Sequence, residues 1–384
     1  MEQLHFSYQG QPSIRKMVRV GNVGSGDLEI LLEPTDNTQI DIDVMTSVDN
    51  RQPLWQAIFD RQLDAQKAAM KVTINDFGAT PGVIGLRLIQ ALEQITADAS
   101  APVATPLGTI SFIEMGARDR AKFILDQGSF REVLGNEYHS FSPWLVPQGI
   151  VPQTDDGCVV AKGTIDGKPS VVIGIDGTFQ GGAIGEISGA KMAAALELAL
   201  ADAQAGNPTQ VVLLLETGGV RLQEANLGLA AIADIHSGII ALREYVPVTC
   251  VVAGTVGCFG GMSIAAGLCS KLIVTKEARV GLNGPQVIEQ EAGIDEYDSR
   301  NRPFIWSMTG GEARFATAFA DVFADDDAQQ IRSEVMHIIN QPLPESARCE
   351  HVDRFLSVFA EMNKAEQATP ELVRHYFAKG ESNE

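Results

Sequence analysis

Basic residues are scarce: 29 Lys and Arg stand against 49 Asp and Glu, a formal net charge of −20 over 384 residues. Phosphate binding needs clustered Lys and Arg, so nucleic acid is excluded as a partner, and an anionic membrane surface is disfavoured. No apolar run approaches the ~20 residues that span a bilayer. The N-terminal stretch MEQLHF lacks the basic segment and apolar core of a signal peptide. Only five Cys occur, at 158, 250, 258, 269 and 349. None forms a C-x-x-C pair, which argues against a zinc site or disulfide framework; buried free thiols are the expectation. The six His, at 5, 139, 236, 337, 351 and 375, show no ligand spacing. Neither H-E-x-x-H nor a Ser-His-Asp grouping is present, which weakens zinc-enzyme and hydrolase readings. These absences together point to a metal-free protein of a reducing cytoplasm.

What is present reads as a globular chain, with 45% hydrophobic and 20% charged residues. The length exceeds what one core normally supports, so two domains are expected. The run ADASAPVATPL, residues 97–107, breaks the periodic pattern before it and reads as a linker between domains at 1–96 and 108–384. The first domain is expected to be a small α+β unit. Strands are predicted at 18–23, 28–32, 40–44 and 71–75, and helices at 54–70 and 81–95, the second with Thr80 as N-cap and Pro81 at its first position. The second domain alternates strand, turn and helix, the mark of an α/β arrangement. A hairpin turns at Asp166–Gly167. Buried strands are predicted at 211–215, 248–253 and 271–275, with helices at 184–203, 224–244 and from Gly260 to Leu268. The tail from Gly311 is expected to be mostly helical.

Two segments of the second domain share one design. FQGGAIG (179–185) and GCFGGM (257–262) each follow a strand and open a helix. Paired glycines let backbone approach a ligand, and helix N-termini offer unpaired N–H groups. Either turn alone could be no more than a tight connection. Two converging on one point would form an oxyanion hole. Neither segment continues as a phosphate loop or a dinucleotide fingerprint. Glu216, Arg221, Gln223 and Glu224 follow a buried strand, where site residues of α/β folds gather; a capped helix start explains them equally well. Glu289 and Glu291 read as surface or subunit contacts. Lys191, in GAKM, partly matches the biotin attachment motif, but it falls inside a predicted helix rather than on an exposed hairpin.

The stretches FQGGAIGEISGAKM (179–192), ETGGVRLQEA (216–225), GCFGGMS (257–263) and GLNGPQVIEQ (281–290) resemble the β-half of biotin-dependent carboxyltransferases, in the crotonase superfamily. Together with ARDRAKFILDQGSFRE (117–132), they are more closely similar to the β subunit of biotin-independent malonate decarboxylase. VGSGDLEILLEP (23–34) and NDFGATPGVIGLRLIQALEQ (75–94) resemble the acyl-carrier, or δ, subunit of the same enzyme. The resemblance implies a crotonase-like α/β domain preceded by an α+β carrier domain, two chains fused into one. It implies that Ser25 bears a covalent phosphoribosyl-dephospho-coenzyme A arm, with neither biotin nor metal required. The arm would carry malonyl and acetyl thioesters. Decarboxylation would be assisted by the backbone amides of Gly182 and Gly261, with Gly181 and Gly260 shaping the turns; such donors typically contribute ~3–4 kcal/mol each. The implied partners are γ and α subunits. Two rival readings remain: a carboxyltransferase β subunit of an acyl-coenzyme A carboxylase, and a non-catalytic carrier or assembly subunit.

Overall fold

The computed structural model describes residues 1–11, 13–63, 68–96, 108–362 and 369–381. The linker expected at 97–107 lies outside the described residues. The chain divides into two compact units.

The first unit is built on Met1–Thr105 and also takes in Leu134–Gly157 and Thr178–Gln180, which chain order alone assigns to the second domain. Its sheet contains β1 (Glu2–Gln9), β2 (Val18–Val20), β3 (Leu28–Glu33), β4 (Gln39–Thr46) and β5 (Met70–Asp76), with helices α1 (Gln52–Leu63) and α2 (Pro81–Thr96). The strand order is β1-β4-β5-β3-β2. In β4, Ile40, Ile42, Val44 and Thr46 are buried while the intervening residues are not, the period of a half-buried strand. β5 runs parallel to β4, with Met70 opposite Ile40, and α1 is the crossover such a pair requires. The predicted helix 54–70 therefore stops early: Met70 joins the sheet, where pairing outweighs local helical pattern. At α2 the Thr80 hydroxyl accepts from the Val83 amide at 3.4 Å, as its capping role requires.

The added segment is tied in by buried polar contacts. The fully buried Glu29 carboxylate accepts from the Thr154 hydroxyl at 2.8 Å, the Thr154 amide at 3.0 Å and Arg19 at 2.8 Å. Val23, Leu145, Val151 and Phe179 form a small apolar cluster beside it.

The second unit opens with α3 (Ala117–Ile124), β6 (Arg131–Val133), β7 (Cys158–Ile165) and β8 (Lys168–Ile175). There follow α4 (Glu186–Gln204), β9 (Gln210–Leu214), α5 (Asn226–Leu242), β10 (Val248–Val252), β11 (Cys258–Phe259), α6 (Gly261–Leu268), β12 (Lys271–Thr275) and β13 (Val280–Gly281). The remainder is α7 (Pro285–Ala292), α8 (Arg302–Thr309), α9 (Gly311–Ala316), β14 (Val322–Ala324), α10 (Ala328–Ile339), α11 (Val352–Glu361) and α12 (Pro370–Glu381). Seven strands form one sheet in the order β14-β12-β10-β9-β8-β7-β6. From β8 to β14 neighbouring strands are parallel.

Helices cover both faces of this sheet. Val211 and Leu213 pack with Met192, Leu196, Ile235 and Ile239 of α4 and α5. Val212 and Leu214 pack with Ala121 and Ile124 of α3 and with Ile331 and Val335 of α10. A strand buried on both sides is mostly apolar, which is why 211–215 reads as an unbroken hydrophobic run and 248–253 as one broken only by Thr249.

Candidate active site

The carboxyl ends of β9 and β10 feed the glycine-rich segments. After β9 the chain runs through Glu216, Thr217, Gly218 and Gly219, and these residues become the centre of a second, short parallel layer. On one flank the Gly218 amide donates to the Gly181 carbonyl at 2.9 Å, and Ile184 donates to Gly219 at 2.8 Å. On the other flank Thr217 donates to Gly257 at 2.8 Å and accepts from Phe259 at 3.0 Å. β11 and β13 extend the layer, and Gly260 donates to Leu282 at 2.8 Å. The two turns singled out from sequence thus stand on either side of one shared strand.

That strand carries ETGG, to whose glycines the sequence alone assigns no site role. Gly219 faces Gly260 directly: a Cβ on Gly260 would lie 3.3 Å from the Gly219 Cα and 4.0 Å from the Val220 nitrogen. The Gly219 carbonyl and the Arg221 amide both bond to Ile184. Ladder groups alternate sides, so the Val220 amide between them faces the Gly260 flank. Among the described residues it has no acceptor. Gly261 opens α6, where the first amides of a helix have no partner within it. Its carbonyl is held by His236 Nε2 at 2.7 Å. Gly182 is placed differently. A Cβ there would sit 2.0 Å from the Glu216 carbonyl oxygen, so close backbone packing by itself demands glycine. Gly181 has open space around its Cα. The pairing pattern that singles out Val220 is tertiary, and no local signal in the sequence carries it.

The charged residues after β9 divide by environment. Glu216 pairs with Arg120 at 2.7 Å, and Arg120 also donates to the Phe112 and Ile113 carbonyls, both at 2.8 Å. The Glu216 side chain fills space that a Cβ on Gly254 would invade at 1.7 Å. Arg221 and Glu224 form a fully buried pair at 2.8 Å. Glu224 also accepts from the Glu186 amide at 2.5 Å, and Arg221 donates to the Ala183 carbonyl at 3.1 Å. This pair clamps the start of α4 to the ETGG strand. Removing one member strands a buried charge, which typically costs about 3–5 kcal/mol. Arg221→Met is therefore expected to lower the unfolding free energy of the second unit by that amount, read as a fall in denaturant midpoint at unchanged slope, while an exposed neighbour, Gln223→Ala, leaves it unchanged.

Lys191 is buried on α4 and its Nζ donates to the Cys158 carbonyl. Glu289 accepts from the Ser299 amide at 2.7 Å. Cys158, Cys250, Cys258 and Cys269 are buried free thiols, and Cys349 is exposed. Burial pushes the Cys258 thiol far above its ordinary range, so it stays protonated. Among the described residues no group of three or more His, Cys, Asp or Glu could hold a metal, and no helix is long and apolar enough to cross a membrane.

In the first unit Ser25 is exposed on a tight turn between β2 and β3. The Asp27 amide closes the turn on the Gly24 carbonyl at 3.0 Å. Gly26 supplies the left-handed φ of +78° that such a turn needs at its third position. The turn is fixed from behind: Gly26 donates to Phe77 at 2.9 Å, Phe77 donates to Asp27 at 3.1 Å, and Arg87 grips the Asp27 carboxylate through two bonds of 2.9 and 2.7 Å. That bidentate contact holds the Arg87 guanidinium above its usual range.

Comparison with known proteins decides the family. The sequence model of the carboxyl transferase domain matches residues 114–364. The chain belongs to the carboxyl transferase family. Its first part matches the malonate decarboxylase delta subunit over residues 15–95. It is 49% identical to the malonate decarboxylase acyl carrier protein of Azotobacter vinelandii over 98 residues, which is 98% of that protein and 25% of this chain. The carboxyl transferase part is 38% identical to the malonyl-S-ACP:biotin-protein carboxyltransferase of Malonomonas rubra, covering 63% of this chain and 79% of that one. A Pseudomonas malonate decarboxylase hetero-tetramer, solved with malonate, contains a chain that superposes with a TM-score of 0.69 at 58% identity, over 70% of this chain and 98% of that one. Transcarboxylase 12S shares the fold, with a TM-score of 0.52 at 28% identity over 60% of this chain. The protein is thus a fusion of a malonate decarboxylase acyl carrier part with a carboxyl transferase domain, as the motifs led us to expect.

Proposed function

We propose that the carboxyl transferase domain (108–384) releases CO2 from a malonyl thioester, leaving an acetyl thioester, and that the carrier domain (1–96) presents the thioester at Ser25. In this reaction the bond to the free carboxylate breaks, its electron pair moves toward the thioester carbonyl, and the enolate so formed then takes up a proton at carbon to give the acetyl thioester. The barrier is the negative charge growing on that oxygen. The observation that supports the proposal is the nearness of Val220 to the Gly260–Gly261 turn, its nitrogen 4.0 Å from a Cβ built on Gly260. Two preformed donors at one oxygen supply the stabilisation such a step needs, with no nucleophile required. Gly261 keeps the role expected from sequence. Val220 takes the second donor position, and Gly181–Gly182 seat the strand that carries it.

Ser25 suits a covalent arm. Its hydroxyl stands on an exposed turn between two glycines, and nothing lies within 4 Å of a Cβ built at Gly26. When attached, a phosphoribosyl-dephospho-coenzyme A group supplies the thiol that bears the acyl group. The proposed assembly is a cytoplasmic complex with γ and α subunits; the hetero-tetrameric state of the Pseudomonas relative supports it.

The Malonomonas relative, named for transfer to a biotin protein, favours a second reading in which the carboxyl group passes to biotin instead. The two separate cleanly. With the chain co-expressed beside its partner subunits and given a malonyl thioester labelled in the free carboxyl carbon, labelled CO2 should appear at the same rate with and without avidin. Inhibition by avidin, or label retained on a biotinyl protein, would establish transfer and overturn decarboxylation.

A further inference from the structure

The second unit holds a half-open cavity of about 870 Å³ between α6, α9, α11 and α12, within the size range of small-molecule sites. Its walls are apolar, with Met308, Phe319, Phe355, Phe359 and Phe377 among them. Yet the charged groups that line it are three arginines, Arg314, Arg348 and Arg374, with no carboxylate among the lining residues. In a chain of net charge −20 that is an unusual local balance. Arg348 is neutralised by Asp321 and Arg374 lies 3.8 Å from Glu371. Arg314 differs. It donates through Nε to the Val280 carbonyl at 2.7 Å and lies over the Phe319 ring at 5.7 Å. Among the described residues it has no carboxylate partner. Tyr297 lines the same cavity, and its hydroxyl is buried with no hydrogen-bond partner among the described residues.

We infer that this cavity binds a single-chain amphipathic carboxylate, with its hydrocarbon tail among the phenylalanines and its carboxylate on Arg314 and Tyr297. An orphan hydroxyl and an uncompensated guanidinium in an apolar chamber each lack the partner that burial demands. One carboxylate satisfies both: it accepts from the phenol and offsets the charge. Desolvation shifts both groups, lowering the guanidinium and raising the phenol, as expected for polar ends facing an apolar space. A malonyl group has no tail to fill such a volume, so this ligand is distinct from the substrate proposed above, and the inference does not rest on that reading. The chamber also touches the catalytic layer: Gly281 and Leu282 line it, and the Leu282 carbonyl accepts from Gly260.

Calorimetric titration of the full-length chain with dodecanoate, dodecanol and dodecyltrimethylammonium tests this. Dodecanoate should bind saturably at one site per chain. Dodecanol should bind roughly tenfold more weakly, the ratio a charge-assisted hydrogen bond carries, and the cation more weakly still. Arg314→Gln should erase the preference for acid over alcohol, and Met308→Trp, which fills the chamber, should weaken both. Equal binding of acid and alcohol to the unmodified chain would overturn the inference, and that comparison depends on no variant. Non-saturable uptake, or a folded Arg314→Gln chain with its preference intact, would overturn it as well.

Discussion

Gly261→Pro is expected to reduce turnover of a malonyl thioester by about 10²–10³-fold, the usual effect of removing one oxyanion donor. Proline is the informative replacement because Gly261 is the first residue of α6. At that position the missing N–H breaks no helical bond and the fixed φ suits the helix start. The substitution thus deletes a donor and leaves the element that bears it. A side chain at 261 would meet the Ile232 Cγ2 at 2.7 Å. The comparison is therefore best made in an Ile232→Ala background, which clears that contact. There Gly261→Ala keeps the amide and should retain most of the turnover, whereas Gly261→Pro should not. Loss should fall on kcat more than on KM, because the donor acts on charge that develops only as the carboxylate departs. Equal turnover of the alanine and proline chains would remove the Gly261 amide from the mechanism.

Much of this architecture is written locally. The apolar runs at 211–215 and, interrupted only by Thr249, at 248–253 announce strands covered on both faces, and β9 and β10 are buried at every position. Asp166–Gly167 turns the β7–β8 hairpin where the dipeptide predicts. Thr80 and Pro81 mark the start of α2. What stayed hidden depends on distant partners. β1 is an edge strand of mostly polar residues, with Phe6 its one buried residue, so its pattern is too thin to read until it pairs with β4. Met70 carries helical periodicity yet lies in β5, because Ile40 across the sheet decides its conformation. In the site, the glycine pairs at 181–182 and 260–261 were visible as motifs. The segment that joins them, ETGGVRLQEA, is visible as a motif and for its charged residues, of which Arg221 and Glu224 are a buried clamp, but not as a strand. Which amide is left facing outward follows from the register of Ile184 against Val220, and register across a parallel layer has no local signature.

Ser25→Ala should abolish malonate turnover by the assembled complex while leaving the fold untouched. The side chain is exposed and the turn is held by backbone bonds to Phe77 and by Arg87 on Asp27. A change there is expected within about 0.5 kcal/mol of wild-type stability. Intact-mass measurement should show the arm's increment on the wild-type chain purified from a host with the attaching enzymes, and no increment on the alanine chain. The same variant divides carrier from catalyst. The glycine turns belong to the other unit, so a free malonyl thioester supplied at high concentration should still lose CO2 on the Ser25→Ala complex. A third variant sharpens the point. Arg87→Ala releases Asp27 and loosens the turn without touching the hydroxyl, so attachment should slow while each attached chain keeps its full turnover. If Ser25→Ala instead processes malonate at the wild-type rate, the acyl group travels by another route and this turn is only a connection between two strands.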